Sequence, residues 1–123
     1  MKYRVLIAEE DITGRAILRE AIKASGISTN EIREVTDIPE MEKYCEEYRP
    51  KVCILSVSFP GWEKEVIRRI KLVSPETKVI LATNQITSVL KIMGGIGAGA
   101  ERNYLTKPYR RDEIEEILKK SLA

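Results

Sequence analysis

Short apolar runs and helical apolar stripes alternate along the chain. Residues 52–55 form an uninterrupted apolar run that ends at Ser56, with Pro50 before it and Pro60-Gly61 after it. This pattern predicts a strand that is covered on both faces, as in the middle of a parallel sheet. Further strands are predicted at 4–8, 32–35, 78–83 and 103–106.

Apolar residues spaced three and four positions apart predict the helices. The first runs from Ile12 to Ser25 and is stopped by Gly26 in the left-handed conformation. The second has Pro39 in its first turn and ends before Pro50, and the third runs from Glu63 to Val73. The inward positions predicted for these helices are Ile17, Leu18, Ala21 and Ile22; Met41, Tyr44, Cys45 and Tyr48; and Val66, Ile67, Ile70 and Val73.

Two more helices are predicted in the C-terminal part. The fourth, between Thr87 and Met93, is the weakest, because four glycines follow at 94, 95, 97 and 99. Each glycine in a helix costs about 1 kcal/mol relative to alanine. The last helix is predicted to be capped by Asp112, with Glu115 placed for a capping box. Its inward stripe is Ile114, Ile117, Leu118 and Leu122.

Five consecutive strand–helix units predict an α/β fold, a (βα)5 doubly wound parallel sheet with right-handed crossovers. The order that buries the central strands is 2-1-3-4-5, a flavodoxin-like three-layer sandwich in a single domain that spans residues 1–123. Ligands of such sheets bind where strands 1 and 3 end. Glu9, Glu10 and Ser56 are predicted to converge there.

Composition narrows the class of protein. The 123 residues suffice for one domain with its own core, and 21 basic against 19 acidic residues give a net charge of +2, which favours neither nucleic acid nor a membrane surface. No signal peptide or spanning segment is evident and no further domain follows Ala123, so we expect a cytoplasmic adaptor or one part of a larger assembly. Cys45 and Cys53 lie in apolar patterns without any histidine, which favours buried reduced thiols over a metal or redox site.

Polar residues stand at the predicted carboxyl ends of four strands. They are Glu9-Glu10, Ser56 followed by Pro60-Gly61, Thr83, Tyr104 and Lys107-Pro108. With these features the chain resembles the receiver domain of bacterial two-component response regulators, which has the CheY-like fold. In that family the first strand ends in an acid pair followed by an arginine, here Arg15. The fourth ends in Thr or Ser, and the fifth continues as YLTKPY, here Tyr104 to Tyr109.

One departure from the family concerns its chemistry. The Pro-Gly turn aligns Ser56 with the aspartate that accepts the phosphoryl group. The resemblance implies Mg²⁺ held by the acid pair, by that aspartate and by a backbone carbonyl, here that of Ser58. A serine is hardly ionised at neutral pH and removes one ligand charge, so any Mg²⁺ at Glu9 and Glu10 is expected to bind weakly.

Two further features concern Lys107 and the length of the segment before it, which is the second departure from the family. Without an aspartate at 56, Lys107 is predicted to pair with Glu9 or Glu10, and the resemblance implies a cis peptide before Pro108. Thr83 and Tyr104 are switch residues by resemblance. The segment between Thr83 and Lys107 is about two residues longer than usual, with its surplus in the glycines.

Structural alternatives exist for the first two polar features. Glu9, Glu10 and Asp11 could be acids that are favourable at a helix N-terminus. Ser56 could be a small polar filler whose hydroxyl is bonded locally.

Three functions are compatible with these sequence features. The first is a degenerate receiver, not an enzyme, that binds a histidine kinase or a downstream signalling protein through the face of the fourth helix, fifth strand and fifth helix. It would bind neither nucleic acid nor membrane. The second is a receiver still phosphorylated on Ser56 or a nearby acid. The third is a flavodoxin-like binder of FMN or a nucleotide, disfavoured because no phosphate-cradling loop follows the first strand.

Overall fold

One parallel sheet forms the middle of the protein. The computed structural model describes residues 3–84 and 104–122. Its strands are β1 (Val5–Ala8), β2 (Ile32–Glu34), β3 (Val52–Ser56), β4 (Lys78–Thr83) and β5 (Tyr104–Thr106). They are ordered β2-β1-β3-β4-β5 and every neighbouring pair is parallel, which confirms the predicted order.

Helices cover both faces of this sheet. They are α1 (Ile12–Ala24), α2 (Ile38–Tyr48), α3 (Lys64–Val73) and the C-terminal α4 (Arg111–Leu122), with a 3-10 turn at Thr29–Glu31. The helix predicted between Thr87 and Met93, and the glycines after it, lie outside the described residues. Among the residues described, no helix is long and apolar enough to cross a membrane.

Alternation along the central strands separates two hydrophobic cores. Leu6 and Cys53 face the core shared with α2 and α3, whereas Ile7 and Ile54 face the core shared with α1 and α4. All four side chains are fully buried. The sheet is therefore the middle layer of the predicted three-layer sandwich. Because helices cover both of its faces, polar side chains gather at the carboxyl ends of its strands.

Local signals explain where α1 and α2 begin. Asp11 Oδ2 accepts a hydrogen bond of 2.7 Å from the Gly14 N–H, and Asp37 Oδ1 accepts one of 2.8 Å from the Glu40 N–H. Both aspartates are N-caps, which satisfy N–H groups that the helix itself leaves free. After α1, Gly26 has a φ of +92°, which confirms the predicted left-handed stop.

Two sequence predictions about helix ends are wrong. α4 begins at Arg111, so Asp112 lies inside its first turn, and Glu115 pairs with Arg111 at 3.3 Å instead of closing a capping box. Tyr48, predicted to face inward, is 46% exposed because it is the last residue of α2. Its ring instead carries the Arg4 guanidinium 5.0 Å from its centroid.

Candidate functional site

The carboxyl ends of three strands bring the predicted polar residues together. Ala8 at the end of β1 pairs with Leu55 in β3, so Glu9 follows one strand beside Ser56 at the end of the next. Lys107 follows β5, and its backbone N–H donates a 2.8 Å hydrogen bond to the Thr83 carbonyl at the end of β4. Parallel strands that end together thus place side chains from distant parts of the chain at one edge.

Glu9 is the buried centre of this pocket. Its side chain is only 1% exposed. Oε1 accepts hydrogen bonds from the Tyr109 hydroxyl at 2.6 Å and lies 3.0 Å from Lys107 Nζ, whereas Oε2 accepts from the Asp11 N–H at 3.2 Å and from Lys107 Nζ at 3.3 Å. A carboxylate offers about four acceptor sites. The protein itself occupies those of Glu9.

Lys107 supplies the positive charge of the site. Besides Glu9, its ammonium lies 3.7 Å from Glu10 Oε2 and donates to Ser56 Oγ at 2.6 Å. The predicted ion pair with the acid pair is therefore present, and both acids take part. The Lys107-Pro108 peptide is cis, as the resemblance implied.

The oxygen of the Ser56 hydroxyl accepts two hydrogen bonds. The residue is 0% exposed, and Oγ accepts hydrogen bonds from Lys107 and, at 3.2 Å, from the Ser58 N–H. Because a serine oxygen has two acceptor sites, these two donors occupy both of them.

Glu10 is the carboxylate of the pair that reaches solvent, with 33% of its side chain exposed. Partial burial by itself raises the pKa of Glu10. Interactions with Glu9, with its own backbone and with Ser56, together with the charge of Lys107, outweigh this and lower the pKa overall. Glu10 is therefore a charged acceptor at neutral pH.

Tyr109 belongs to the site, although it was not among the residues predicted for it. Burial, and then the hydrogen bond to the Glu9 carboxylate and its charge, raise the pKa of Tyr109 far above its usual value, so the hydroxyl stays a donor. Gly14 makes the contact possible. A Cβ at that position would lie 3.2 Å from both Glu9 Oε1 and Tyr109 Cε2. A glycine inside a predicted helix was the signal in the sequence.

The remaining predicted residues lie around this centre. Thr83 is buried at the end of β4, and Tyr104 is partly buried against the core shared with α2 and α3. Ser58 is exposed in the turn after β3. Arg15 is partly buried in the first turn of α1. These positions agree with the strand ends and turns that the sequence predicted, and they assign no role by themselves.

The donor set fits a strong Mg²⁺ site poorly. Within residues 3–84 and 104–122, no group of three or more His, Cys, Asp or Glu side chains is arranged to hold a metal ion. Two carboxylates face one ammonium, and the acceptor sites of Glu9 are already taken. Mg²⁺ prefers several oxygen ligands with a surplus of negative charge, and here Lys107 already neutralises part of that charge.

Comparison with known proteins assigns the chain to a protein family. The family model described as the response regulator receiver domain matches residues 5–119. No curated protein matches the sequence significantly.

Solved structures agree in fold over nearly the whole chain. A response regulator from Thermotoga maritima is 20% identical with a TM-score of 0.82, covering 99% of this chain and 98% of that one. The chemotaxis response regulator CheY4 of Vibrio cholerae is 18% identical with a TM-score of 0.82, covering 98% and 99%. The receiver domain of the sensor histidine kinase PA1611 from Pseudomonas aeruginosa PAO1, solved with a magnesium ion in its active site cleft, is 17% identical with a TM-score of 0.80, covering 99% and 98%. From the family match and the strand order together, we conclude that the chain belongs to the response regulator receiver domains of two-component signalling.

Proposed function

We propose that this receiver domain is not phosphorylated on Ser56 and acts in signalling as a protein-interaction module, not as an enzyme. The observation that carries the proposal is the state of the Ser56 hydroxyl. It is buried, and its oxygen accepts hydrogen bonds from the Lys107 ammonium and from the Ser58 N–H at once. A phosphoacceptor needs a free lone pair facing its donor, and this oxygen has none to offer.

The charge around Ser56 also opposes attack. The Lys107 ammonium donates to Oγ at 2.6 Å, which withdraws electron density from the atom that would be the nucleophile. Serine is weak at its ordinary pKa and needs a base to activate it. The lowered pKa of Glu10 makes that carboxylate a poorer base than usual.

Metal binding is proposed to be weak for the same reasons. The PA1611 receiver holds magnesium in its cleft. In this chain the Glu10 carboxylate and the Ser58 carbonyl are the donors left for such an ion, since the oxygens of Glu9 are bonded to Lys107, Tyr109 and Asp11. Mg²⁺ supplies charge neutralisation in receivers. Here Lys107 already provides part of it.

The proposed partner is a histidine kinase or a downstream signalling protein in the cytoplasm. By the resemblance it would dock on β5 and α4 together with the helix predicted between Thr87 and Met93. The described part of this face carries the partly buried Tyr104 and the exposed first turn of α4. We propose no contact with nucleic acid or with a membrane.

Acetyl phosphate tests the proposal directly. The protein and a Ser56→Asp variant are incubated with acetyl phosphate and Mg²⁺, and the intact masses are compared. We expect a phosphoryl group on the Asp variant alone, because a carboxylate restores both the nucleophile and a metal ligand. A phosphoryl group on the natural protein would contradict the proposal.

A second function has one observation in its favour. Interaction with the Ser56 hydroxyl is among the causes that lower the pKa of Glu10 against the effect of its partial burial, so a carboxylate lies near the position that a general base would need. In that case the natural protein gains a phosphoryl group, a Ser56→Ala variant does not, and fragmentation locates the modification at residue 56. Modification that survives in Ser56→Ala would instead point to a nearby acid.

A further inference from the structure

A cleft of about 450 Å³ lies where β1 and β3 begin, at the edge of the sheet opposite the pocket around Ser56. Its volume falls within the range of small-molecule sites, about 300–1,000 Å³. The residues that give the cleft its chemistry are Tyr3, Arg4, Tyr48, Arg49, Lys51 and Glu76. Three basic side chains against one acid give this lining an excess of positive charge, and we call it the basic cleft.

The sheet backbone holds two of the basic residues side by side. The Lys51 N–H donates a 2.9 Å hydrogen bond to the Arg4 carbonyl, and the Lys51 carbonyl accepts one of 3.0 Å from the Lys78 N–H. Arg4 and Lys51 each directly precede a residue of the paired strands β1 and β3, Val5 and Val52. Groups carried on strands are positioned more precisely than groups carried on loops.

Aromatic packing orients the Arg4 side chain. Its guanidinium lies 5.0 Å from the centroid of the Tyr48 ring, which in turn lies 4.8 Å from the centroid of the Tyr44 ring. A guanidinium stacked in this way keeps the N–H donors at the edge of its plane accessible. Arg4 Nε is 3.7 Å from Glu31 Oε2, which is longer than a hydrogen bond. The planar fork of Arg4 therefore keeps donors for an oxyanion.

Arg49 has an unusual backbone conformation. Its φ of +45° and ψ of +65° lie in the left-handed region, and it is the only non-glycine residue with a positive φ in the described part of the chain. Glycine is favoured at such a helix end, because a Cβ is unfavourable there. Arg49 therefore places a charged side chain at the basic cleft where glycine would suit the fold better. Backbone strain of this kind is concentrated at functional sites.

Two of the basic side chains have no acidic partner within residues 3–84 and 104–122. Arg49 is exposed and Lys51 is partly buried, and neither forms an ion pair with a described acid. Arg69 on α3, by contrast, lies 3.0 Å from Glu42. The positive charge of the basic cleft is therefore available to an anion.

The chemistry of the lining selects the class of anion. An arginine fork binds phosphate oxygens in a bidentate manner, and lysine adds a point charge. Tyr3 is partly buried and stacks on no other ring among the described residues, so its face can receive a planar group. Nucleotide bases stack on aromatic side chains in this way. Phosphate groups and a flat base together describe a nucleotide.

We propose that the basic cleft binds a nucleotide, with its phosphates on Arg4, Arg49 and Lys51 and its base against Tyr3. Binding is reversible and no covalent bond forms. Ligands of sheets like this one ordinarily bind at the carboxyl ends of the strands, so this is a second site at the opposite edge. It does not involve Ser56 and does not depend on whether this protein is phosphorylated.

The test is titration calorimetry of the full-length protein with ATP, tripolyphosphate and adenosine as probes. The buffer contains no divalent cation, so that the acids around Ser56 cannot hold a metal-bound nucleotide. We expect saturable binding of one ATP that weakens as the salt concentration rises, because part of the attraction is between exposed charges. Tripolyphosphate lacks the base and adenosine lacks the phosphates, so each should bind at least about fivefold more weakly than ATP.

Variants separate loss of the ligand contacts from damage to the fold. Arg49→Gly should weaken ATP binding about tenfold while the urea unfolding midpoint stays the same or rises, because glycine suits the left-handed conformation. Lys51→Ala should weaken ATP binding to a similar extent. Tyr3→Leu should weaken ATP binding at least about fivefold and leave tripolyphosphate binding unchanged. Lys119→Ala, which removes a positive charge from the exposed side of α4, is the matched control and should bind ATP like the natural protein.

A basic surface that is merely solvated makes the opposite predictions, because exposed lysine and arginine side chains are common on proteins. The proposal is overturned if ATP shows no saturable binding, or if Arg49→Gly and Lys51→Ala bind ATP as tightly as the natural protein. It is also overturned if tripolyphosphate or adenosine binds as tightly as ATP, or if Tyr3→Leu leaves ATP binding unchanged.

Discussion

Two buried polar clusters lie at opposite edges of the sheet. At the carboxyl edge, Glu9, Glu10 and Lys107 gather three charges around Ser56. At the amino edge, the hydroxyls of Ser74 and Thr77 bond to each other, and Thr77 donates to the Pro50 carbonyl at 2.7 Å. Ser74 and Thr77 are as fully buried as Ser56.

Hydrogen-bond satisfaction does not distinguish the two edges. Among the residues described, every buried side-chain nitrogen or oxygen has a partner. The difference is charge. The amino-edge pair is neutral and joins backbone segments, whereas the carboxyl edge holds ionised groups from two separate segments, after β1 and after β5, around the neutral Ser56. Burying charge is costly unless it is paired, so the carboxyl edge depends on each of its partners more strongly. Substitutions at each edge measure that difference in the free energy of unfolding.

The largest effect is expected from Lys107→Ala. The change leaves the buried Glu9 carboxylate without its cation, which should lower the free energy of unfolding by about 3–5 kcal/mol. Urea unfolding measures it. Lys119→Ala on the exposed side of α4 is the matched control and should stay within about 0.5 kcal/mol. A Lys107 variant as stable as this control would mean that the pocket does not need its charge balance.

Tyr109→Phe should have the next largest effect. It removes the donor 2.6 Å from Glu9 Oε1 while keeping the ring over Gly14. A hydrogen bond to a charged group is worth about 1.5–3 kcal/mol, and the free energy of unfolding should fall by that amount. Tyr48→Phe, at a ring that is 46% exposed, controls for loss of a hydroxyl. Equal effects of the two variants would contradict the role given to Tyr109.

Thr77→Val tests the neutral edge. The valine removes the hydrogen bond to Pro50 and a partner of Ser74 but leaves no charge unpaired, so we expect a loss of about 1–2 kcal/mol. Thr13→Val, at an exposed position of α1, makes the same chemical change outside any cluster. If Thr77→Val proves as damaging as Lys107→Ala, charge is not what separates the two edges.

The smallest effect is a pH dependence confined to the carboxyl edge. The pKa of Glu10 is lowered in the folded state, so its contribution is complete above its usual pKa and is lost as the pH falls through the folded value. The stability difference between the natural protein and Glu10→Gln should therefore shrink between neutral pH and acid. The difference for Thr77→Val should not change. Glu47→Gln, at an exposed position, controls for the removal of a negative charge as such.

The sequence determined much of the pocket because its placement is local. An apolar run that ends at Ser56, and acids directly after the run that ends at Ala8, place both residues at the same edge once strands alternate with helices. The Pro-Gly turn fixed which residue stands at the acceptor position. The position of Lys107 at the same edge was predicted because it directly follows a short strand and precedes Pro108. Its positive charge then favoured an ion pair with Glu9 or Glu10.

Only the tertiary structure decided contacts that depend on side-chain packing. Tyr109 and Glu9 are 100 residues apart, and no periodicity indicates that the ring fits over Gly14. Tyr48 matched the inward spacing but lies at the end of α2, where the core no longer covers it. The cysteines were predicted to be buried, yet the approach of Cys53 to Met41 depends on how α2 lies on β3. Hydrophobic periodicity specifies which face of an element is covered, whereas distances between side chains are set by how the covered faces pack together.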